Sequence, residues 1–306
     1  MKKIQLGGTS LTVPSVIVGC MRFDQFSNGQ LQHFIHTALE QGACFFDHAD
    51  IYGDGRCETL FGEAVRTDPS LHREDMILQS KCGIRKGFYD LSAAYIMDSV
   101  DGILQRLGTD YLDILLLHRP DALVEPEEVA EAFDRLQARG KVRYFGVSNH
   151  RPMQIELLKK YVGQSLLIDQ LQFSLPVSGM VAGGMEVNMT TEGAADRDGS
   201  ILDYARLHDM TIQAWSPFQK ADWQGPFIGA EDFGPLNAAL AELAGRYGTS
   251  GTGIAAAWIL RHPAHMQLIS GTTSEQRLSE IIAASEITLT REEWYQLYLK
   301  AGHILP

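Results

Sequence analysis

Short apolar runs and longer stretches of helical spacing alternate along almost the whole chain. Runs of strand length fall at 16–19, 44–47, 76–81, 112–118, 142–148, 166–170, 211–215 and 267–270. Between and after them, apolar positions recur with helical period at 30–41, 58–65, 93–107, 126–138, 152–161, 201–207, 236–247 and 274–285. About eight strand-helix units in one unbroken series predict an α/β fold, a (β/α)8 TIM barrel spanning residues 1–306 as one domain.

The segments outside this alternation are informative too. Ile4 and Leu6 before Gly7-Gly8-Thr9-Ser10, and Leu11 and Val13 after it, predict a β-hairpin that caps one end of the barrel. Pro126 followed by Glu127 and Glu128 suits the first turn of a helix, and Gly108 and Gly140 suit helix ends. Residues 177–199 predict an extended loop on the face that carries the strand ends, and residues 219–234, with Trp223, Pro226 and Phe227, a second one. A further helix is expected over 290–299, with Trp294, Leu297 and Tyr298 on one face.

Several apolar runs end on chemistry. Phe46 leads into Asp47 and, a few residues on, Tyr52; Leu78 leads into Lys81; Leu117 leads into His118. In a parallel barrel all four residues gather at the carboxyl ends of the strands, where such folds build their sites. A phenol ionises near pH ~10, so Tyr52 can give a proton at neutral pH but needs help to exchange it both ways. Lys81 is expected to lower the phenol's pKa, Asp47 to keep Lys81 charged and oriented, and His118 to share a substrate oxygen with Tyr52. Carbonyl reduction fits this set. The rival chemistry is a Schiff-base aldolase with Lys81 as nucleophile, which requires a neutral Lys81 unpaired with Asp47.

Composition narrows the field. The 306 residues carry a formal charge of -12, which argues against a nucleic-acid partner held by an overall basic field and leaves any anionic ligand to a local pocket. Four cysteines, Cys20, Cys44, Cys57 and Cys82, have no metal-ligand spacing and read as reduced thiols, so no metal is expected. Neither a signal peptide nor a run of membrane-spanning length is present, which predicts a cytoplasmic protein without membrane association.

The sequence resembles the aldo-keto reductase superfamily over essentially its whole length. The resemblance rests on Asp47-His48-Ala49-Asp50-Ile51-Tyr52-Gly53, Ser80-Lys81-Cys82, Leu117-His118-Arg119-Pro120, the run from Gly140 to Asn149, and Ala214-Trp215-Ser216-Pro217, all in the family's order. It implies a catalytic tetrad of Asp47, Tyr52, Lys81 and His118 and an extended NADPH or NADP+ across the barrel's carboxyl face, with NADH disfavoured. No Gly-x-Gly-x-x-Gly follows an early strand, in agreement.

The resemblance also implies that Ser148, Asn149 and Gln170 hold the nicotinamide carboxamide and that Trp215 stacks on the ring. Gly19, Cys20, Met21 and Asp47, and the segment Ser216, Pro217, Phe218 and Lys220, join the cofactor set, although the run from Pro217 to Lys220 departs from the family's usual leucine and glycine. Gly271, Thr272, Thr273, Arg277 and Glu280 form its adenosine end, with Arg277 reading the 2′-phosphate. Ser270 and Ile281 stand where family members often have Pro and Asn. Met21, Phe23, Tyr89 and the 177–199 segment are expected to shape the substrate pocket by position, and Arg22 reads as a solvated charge, with selection of an acidic substrate as the alternative. A small carbonyl compound is the expected partner and a monomer the expected state. A slowly turning regulatory subunit of the same barrel is the alternative, although no segment resembles the inactivation peptide of potassium-channel β subunits.

Overall fold

The computed structural model describes residues 1–221 and 224–306, so Trp223 lies outside the described residues. The chain opens with an antiparallel hairpin, β1 (Lys3–Gln5) and β2 (Thr12–Pro14). Strand β3 (Val16–Gly19), helix α1 (Asn28–Glu40), β4 (Phe45–Asp47), α2 (Arg56–Thr67) and β5 (Ile77–Cys82) follow. A small hairpin of β6 (Ile84–Arg85) and β7 (Phe88–Tyr89) precedes α3 (Ala93–Leu107), β8 (Leu112–Leu117), α4 (Pro126–Ala138), β9 (Val142–Ser148) and α5 (Pro152–Lys159). Then come β10 (Leu166–Gln172), α6 (Gly179–Met185), α7 (Ile201–Leu207) and β11 (Thr211–Trp215). The chain ends with α8 (Gly234–Tyr247), α9 (Gly251–Leu260), β12 (Gln267–Ser270), α10 (Glu275–Ala284) and α11 (Arg291–Lys300).

Eight parallel strands close in the order β3-β4-β5-β8-β9-β10-β11-β12 and back to β3. Sequence alternation decides which side chains enter the barrel, because successive residues of a strand face opposite sides. Ile17, Phe45, Ile114, Leu116, Ile168 and Ile269 pack inside, against Ile4, Leu6 and Val13 of the hairpin, which therefore plugs the amino-terminal end as expected. Gly146 belongs to this inner layer out of necessity, since a Cβ there would stand 2.8 Å from Leu116 Cδ2 and 2.9 Å from the Ile168 carbonyl oxygen. The outward residues of the strands meet the helices in a larger apolar layer.

The local signals act where the sequence put them. Pro126 starts α4 with two glutamates in its first turn, and α3 ends on Gly108 at φ 66°. Helix α11 begins with a reciprocal Thr290–Glu293 capping box, and it is tied to α9 by indole N–H bonds exchanged between Trp258 and Trp294, each 3.0 Å to the other's carbonyl oxygen.

Two departures have physical causes. Helix α9 has no periodic signal in the sequence, because every residue from Gly253 to Leu260 is buried and an all-apolar helix shows no amphipathic period. The 177–199 segment is only partly an open loop: it contains α6 and a single 3-10 turn at Glu192–Ala194. None of the four cysteines is in a disulfide; three are buried, and burial raises all four thiol pKa values.

Candidate active site

Lys81 is the residue on which the site is built. As the fifth residue of β5 it follows Ile77 and Gln79 on the inward face, so its stem rises through the barrel and its ammonium arrives at the carboxyl end. There Nζ donates to Asp47 Oδ2 at 2.8 Å, the His48 carbonyl at 2.7 Å and the Tyr52 hydroxyl at 3.1 Å. Lys81 and Asp47 are 0% and 2% exposed. Burial works to lower the lysine's pKa, but Asp47 and Tyr52 outweigh it and hold it above the ordinary value, so the ammonium stays charged. A charged, triply engaged Lys81 is no Schiff-base nucleophile, and the aldolase rival falls on this geometry.

Tyr52 comes from the turn after β4, not from a strand. Its amide bonds back to the Ala49 carbonyl at 3.0 Å, and Asp50 fixes the same turn by accepting from Tyr95 Oη and Ser99 Oγ of α3, both at 2.9 Å. His118 follows β8, and its ring stands edge-on to the Tyr52 ring with centroids 6.2 Å apart. Burial, Lys81 and Arg119 depress the imidazole's pKa well below its ordinary value, so His118 is neutral at pH 7. Lys81 lowers the Tyr52 pKa as expected, but the net shift is upward. Desolvation raises its pKa, and Lys81's lowering effect is opposed by the adjacent Asp47 charge, so the phenol is a firmer proton holder than free tyrosine.

Beneath the ion pair lies a column of amides, of which only Gln170 is marked as a site residue by the sequence. Gln79 Nε2 donates to Asp47 Oδ1 at 2.6 Å and to Gln213 Oε1 at 2.8 Å; Gln170 Nε2 reaches the same two oxygens at 3.1 and 3.0 Å. Gln213 Nε2 donates in turn to Gln79 Oε1 at 3.2 Å and Gln267 Oε1 at 3.0 Å, and Gln267 Nε2 ends the series on the Pro14 carbonyl at 2.7 Å. Every amide is thereby given one orientation. Lys81 holds one oxygen of Asp47 and the glutamines hold the other.

A cavity of about 680 Å³ opens above this column. Asp47, Tyr52 and His118 line its floor, joined by Ser148, Asn149, Gln170 and Trp215. Gln170's nitrogen is spent on Asp47 and Gln213, which leaves its Oε1 as the acceptor for an incoming amide N–H. Trp215 Nε1 donates to Asn149 Oδ1 at 3.1 Å, fixing the indole beside the floor. Asn149 and Ser216, at φ 60° and 51°, take the left-handed backbone that turns the chain just past β9 and β11.

The cavity continues past Gly19 and Met21 on one side and Ser216, Pro217 and Phe218 on the other, to Gly271, Thr272, Thr273 and Arg277. Thr272 and Thr273 precede the start of α10, and Arg277 lies in its first turn. A Cβ at Gly19 would stand 2.9 Å from Ile269, so this wall has no room for a larger residue.

Several expected residues are elsewhere. The Cys20 thiol is fully buried and bonded to the Val18 carbonyl, away from the cavity. Lys220 is pinned to both oxygens of Asp232 at 2.7 Å, and Glu280 accepts from Gln276 at 3.0 Å; neither lines the cavity. Phe23 is a core residue packed on Phe34 and Phe61, Tyr89 is exposed on β7, and no residue of 177–199 reaches the cavity. Arg22 bonds Gly271, at the end away from the substrate floor. Conversely Arg119, Ile51, Ile84 and Thr252 line the cavity without having been foreseen.

Comparisons with known proteins identify the family and the fold. The model of the aldo/keto reductase family matches residues 15–299. The uncharacterized oxidoreductase YcsN of Bacillus subtilis strain 168 is 34% identical over 100% of both chains, and a 6-dehydroglucose reductase of Agrobacterium fabrum strain C58 is 33% identical over 98% of both. Among solved structures, the thermostable aldo-keto reductase Tm1743, in complex with the inhibitor epalrestat, superposes with a TM-score of 0.79 at 25% identity, covering 98% of this chain and 100% of that one. The aldo/keto reductase of Klebsiella pneumoniae, in complex with NADP and acetate, has the same fold, with a TM-score of 0.76 at 24% identity over 97% of this chain and 94% of that one.

Proposed function

The chain belongs to the aldo/keto reductase family, and from that premise we propose that it reduces an aldehyde or ketone to an alcohol with NADPH, Tyr52 supplying the proton. The observation that carries the reading is the contact of a buried, charged Lys81 with the Tyr52 hydroxyl, at the floor of a cavity of about 680 Å³ that is also lined by Gly271, Thr272, Thr273 and Arg277. The residues present suit such a cofactor: Gln170 offers a free amide oxygen, Trp215 a fixed ring, and Thr272, Thr273 and Arg277 a helix start with hydroxyls and a guanidinium. When bound, the dinucleotide supplies a hydride to the carbonyl carbon.

The rest falls to the protein. Tyr52 Oη and the neutral His118 ring hold the carbonyl oxygen between two donors. As negative charge grows on that oxygen, Tyr52 passes it a proton, and the incipient phenolate is met by Lys81 Nζ at 3.1 Å. Asp47 keeps the ammonium in place throughout. The relative named as a 6-dehydroglucose reductase supports a carbonyl substrate.

Tyr52→Phe, titrated with NADPH and assayed on a panel of aldehydes and ketones, tests the reading. Cofactor affinity is expected to stay within about threefold while turnover falls by roughly a thousandfold or more, the loss of general-acid catalysis plus orientation. Retained turnover would remove Tyr52 from the chemistry. Parallel NADH titration measures the preference assigned to Arg277, whose substitution by alanine should weaken NADPH more than NADH.

A further inference from the structure

Lys220, the cation that the 216–220 segment was expected to bring to the cofactor, is committed to Asp232 through two contacts of 2.7 Å and does not line the cavity. An extended NADP(H) nevertheless carries a diphosphate between its two ends. In a chain of net charge -12, a cation close by would stabilise that anion. Three guanidiniums belong to residues lining the cavity. Arg119 follows His118 directly, at the floor, and Arg277 lies in the first turn of α10, at the far end.

Arg22 is the third, and it is tied to a second loop of the cavity wall. It sits in the turn just past β3, and its Nη1 donates to the Gly271 carbonyl at 2.9 Å, spanning from one loop of the carboxyl face to another. Gly271 has no side chain to interfere; a Cβ there would lie 3.3 Å from Nη1. Phe23, fully buried against Phe26, Phe34 and Phe61, anchors the backbone that presents the arginine. Among the described residues Arg22 makes no ion pair with a carboxylate, so its charge is unspent. A guanidinium has five N–H donors, and Gly271 takes one.

Resting on the reductase reading, we propose that Arg22 is the diphosphate-binding cation of this protein and the clasp of its cofactor cleft. One N–H holds Gly271, and the others bond the phosphate oxygens lying between the 21–22 turn and the 216–218 segment. The tether to Gly271 keeps the guanidinium in place before the cofactor arrives, which lowers the entropic cost of binding. The same tether closes the cleft from the side opposite Ser216, so release of the cofactor requires Arg22 to let go.

The test separates the phosphates. NADPH, 2′-phospho-ADP-ribose and 2′-AMP are titrated calorimetrically against wild type, Arg22→Gln and Gly271→Ala, and NADPH release is timed by stopped-flow fluorescence. Arg22→Gln is expected to weaken NADPH and 2′-phospho-ADP-ribose tenfold or more, to speed NADPH release by a similar factor, and to leave 2′-AMP, which has no diphosphate, within twofold. Gly271→Ala, which keeps the charge but crowds its seat, should weaken NADPH by a smaller factor. Unchanged NADPH affinity in Arg22→Gln would overturn the proposal. So would an equal loss for 2′-AMP, which would make Arg22 a reader of the 2′-phosphate, or a loss confined to the KM of acidic substrates. Wild type that binds 2′-phospho-ADP-ribose but reduces no carbonyl would sink the reductase reading while leaving Arg22's role standing.

Discussion

Gln79 holds the Asp47 carboxylate at 2.6 Å through the oxygen that Lys81 does not use. The acid of the ion pair is thus gripped from above by an ammonium and from below by amides whose orientation is inherited, through Gln213 and Gln267, from the Pro14 carbonyl at the barrel's base. Such a network is stabilising only while it is complete, because each buried donor left without a partner costs about 1–3 kcal/mol.

Gln213 is the member whose loss breaks the most bonds: it accepts from Gln79 and Gln170 and donates to Gln79 and Gln267. Gln213→Leu should therefore lower unfolding free energy by roughly 2–4 kcal/mol and also reduce kcat by about tenfold or more, since Asp47 and Gln170 both lose their orientation and each 1.4 kcal/mol of lost positioning is a factor of ten. Denaturant unfolding and steady-state kinetics check the two parts. A variant that is destabilised but keeps wild-type kcat would show that the column supports the fold and not the tetrad.

Asp169 gives a pH prediction with a definite sign. It neighbours Gln170 on β10 but faces outward; it is fully buried, neither carboxyl oxygen has a hydrogen-bond partner, and burial pushes its pKa from 3.8 to about 8, despite the nearby amides of His150 and Asn149. Between those values the folded protein holds a proton that the unfolded chain has released, so this group's contribution to stability falls as pH rises, by about 1.4 kcal/mol per unit, and levels off above the folded value. His48 and His150, depressed to about 3 and about 4, act in the opposite direction below 6.5. The comparison of wild type with Asp169→Asn from pH 6.5 to 8 therefore isolates the carboxyl. The variant should lose the decline and be the more stable protein at pH 8; parallel stability curves would refute the assignment.

What could be read in the sequence was what period and strand-end position encode. Asp47, Lys81 and His118 ended apolar runs, and the barrel, its hairpin plug and α11 followed from alternation. Gln79 and Gln213 were legible in principle, since each sits two residues before an inward-facing site residue, Lys81 and Trp215, on its own strand. They escaped because a polar residue within an apolar run shows no partner until the strands are closed. Helix α9 escaped for the opposite reason, having no polar face to mark its period. The partners of long cations are set by tertiary contact alone: Lys220 found Asp232 and Arg22 found Gly271. The sign of the Tyr52 shift depended on burial, which outweighs the neighbouring ammonium.

Arg119 carries the prediction about substrate. It follows His118 directly, lines the same cavity, is half-buried, and among the described residues has no ion pair or side-chain hydrogen bond, while nearby Asp121 is occupied with the amides of Leu91 and Leu123. Its charge also helps to keep His118 neutral, which ties it electrostatically to the reacting end. A partly desolvated guanidinium without an internal partner favours a ligand that brings a carboxylate, and a charge-assisted contact of that kind contributes about 1.5–3 kcal/mol. An ω-oxo acid should accordingly be reduced with a kcat/KM roughly 10–100 times that of its methyl ester. Arg119→Gln should erase that ratio by raising KM for the acid while leaving the ester nearly unchanged. Equal efficiency on acid and ester in the wild type, or equal losses on both in the variant, would mean that Arg119 does not select the substrate.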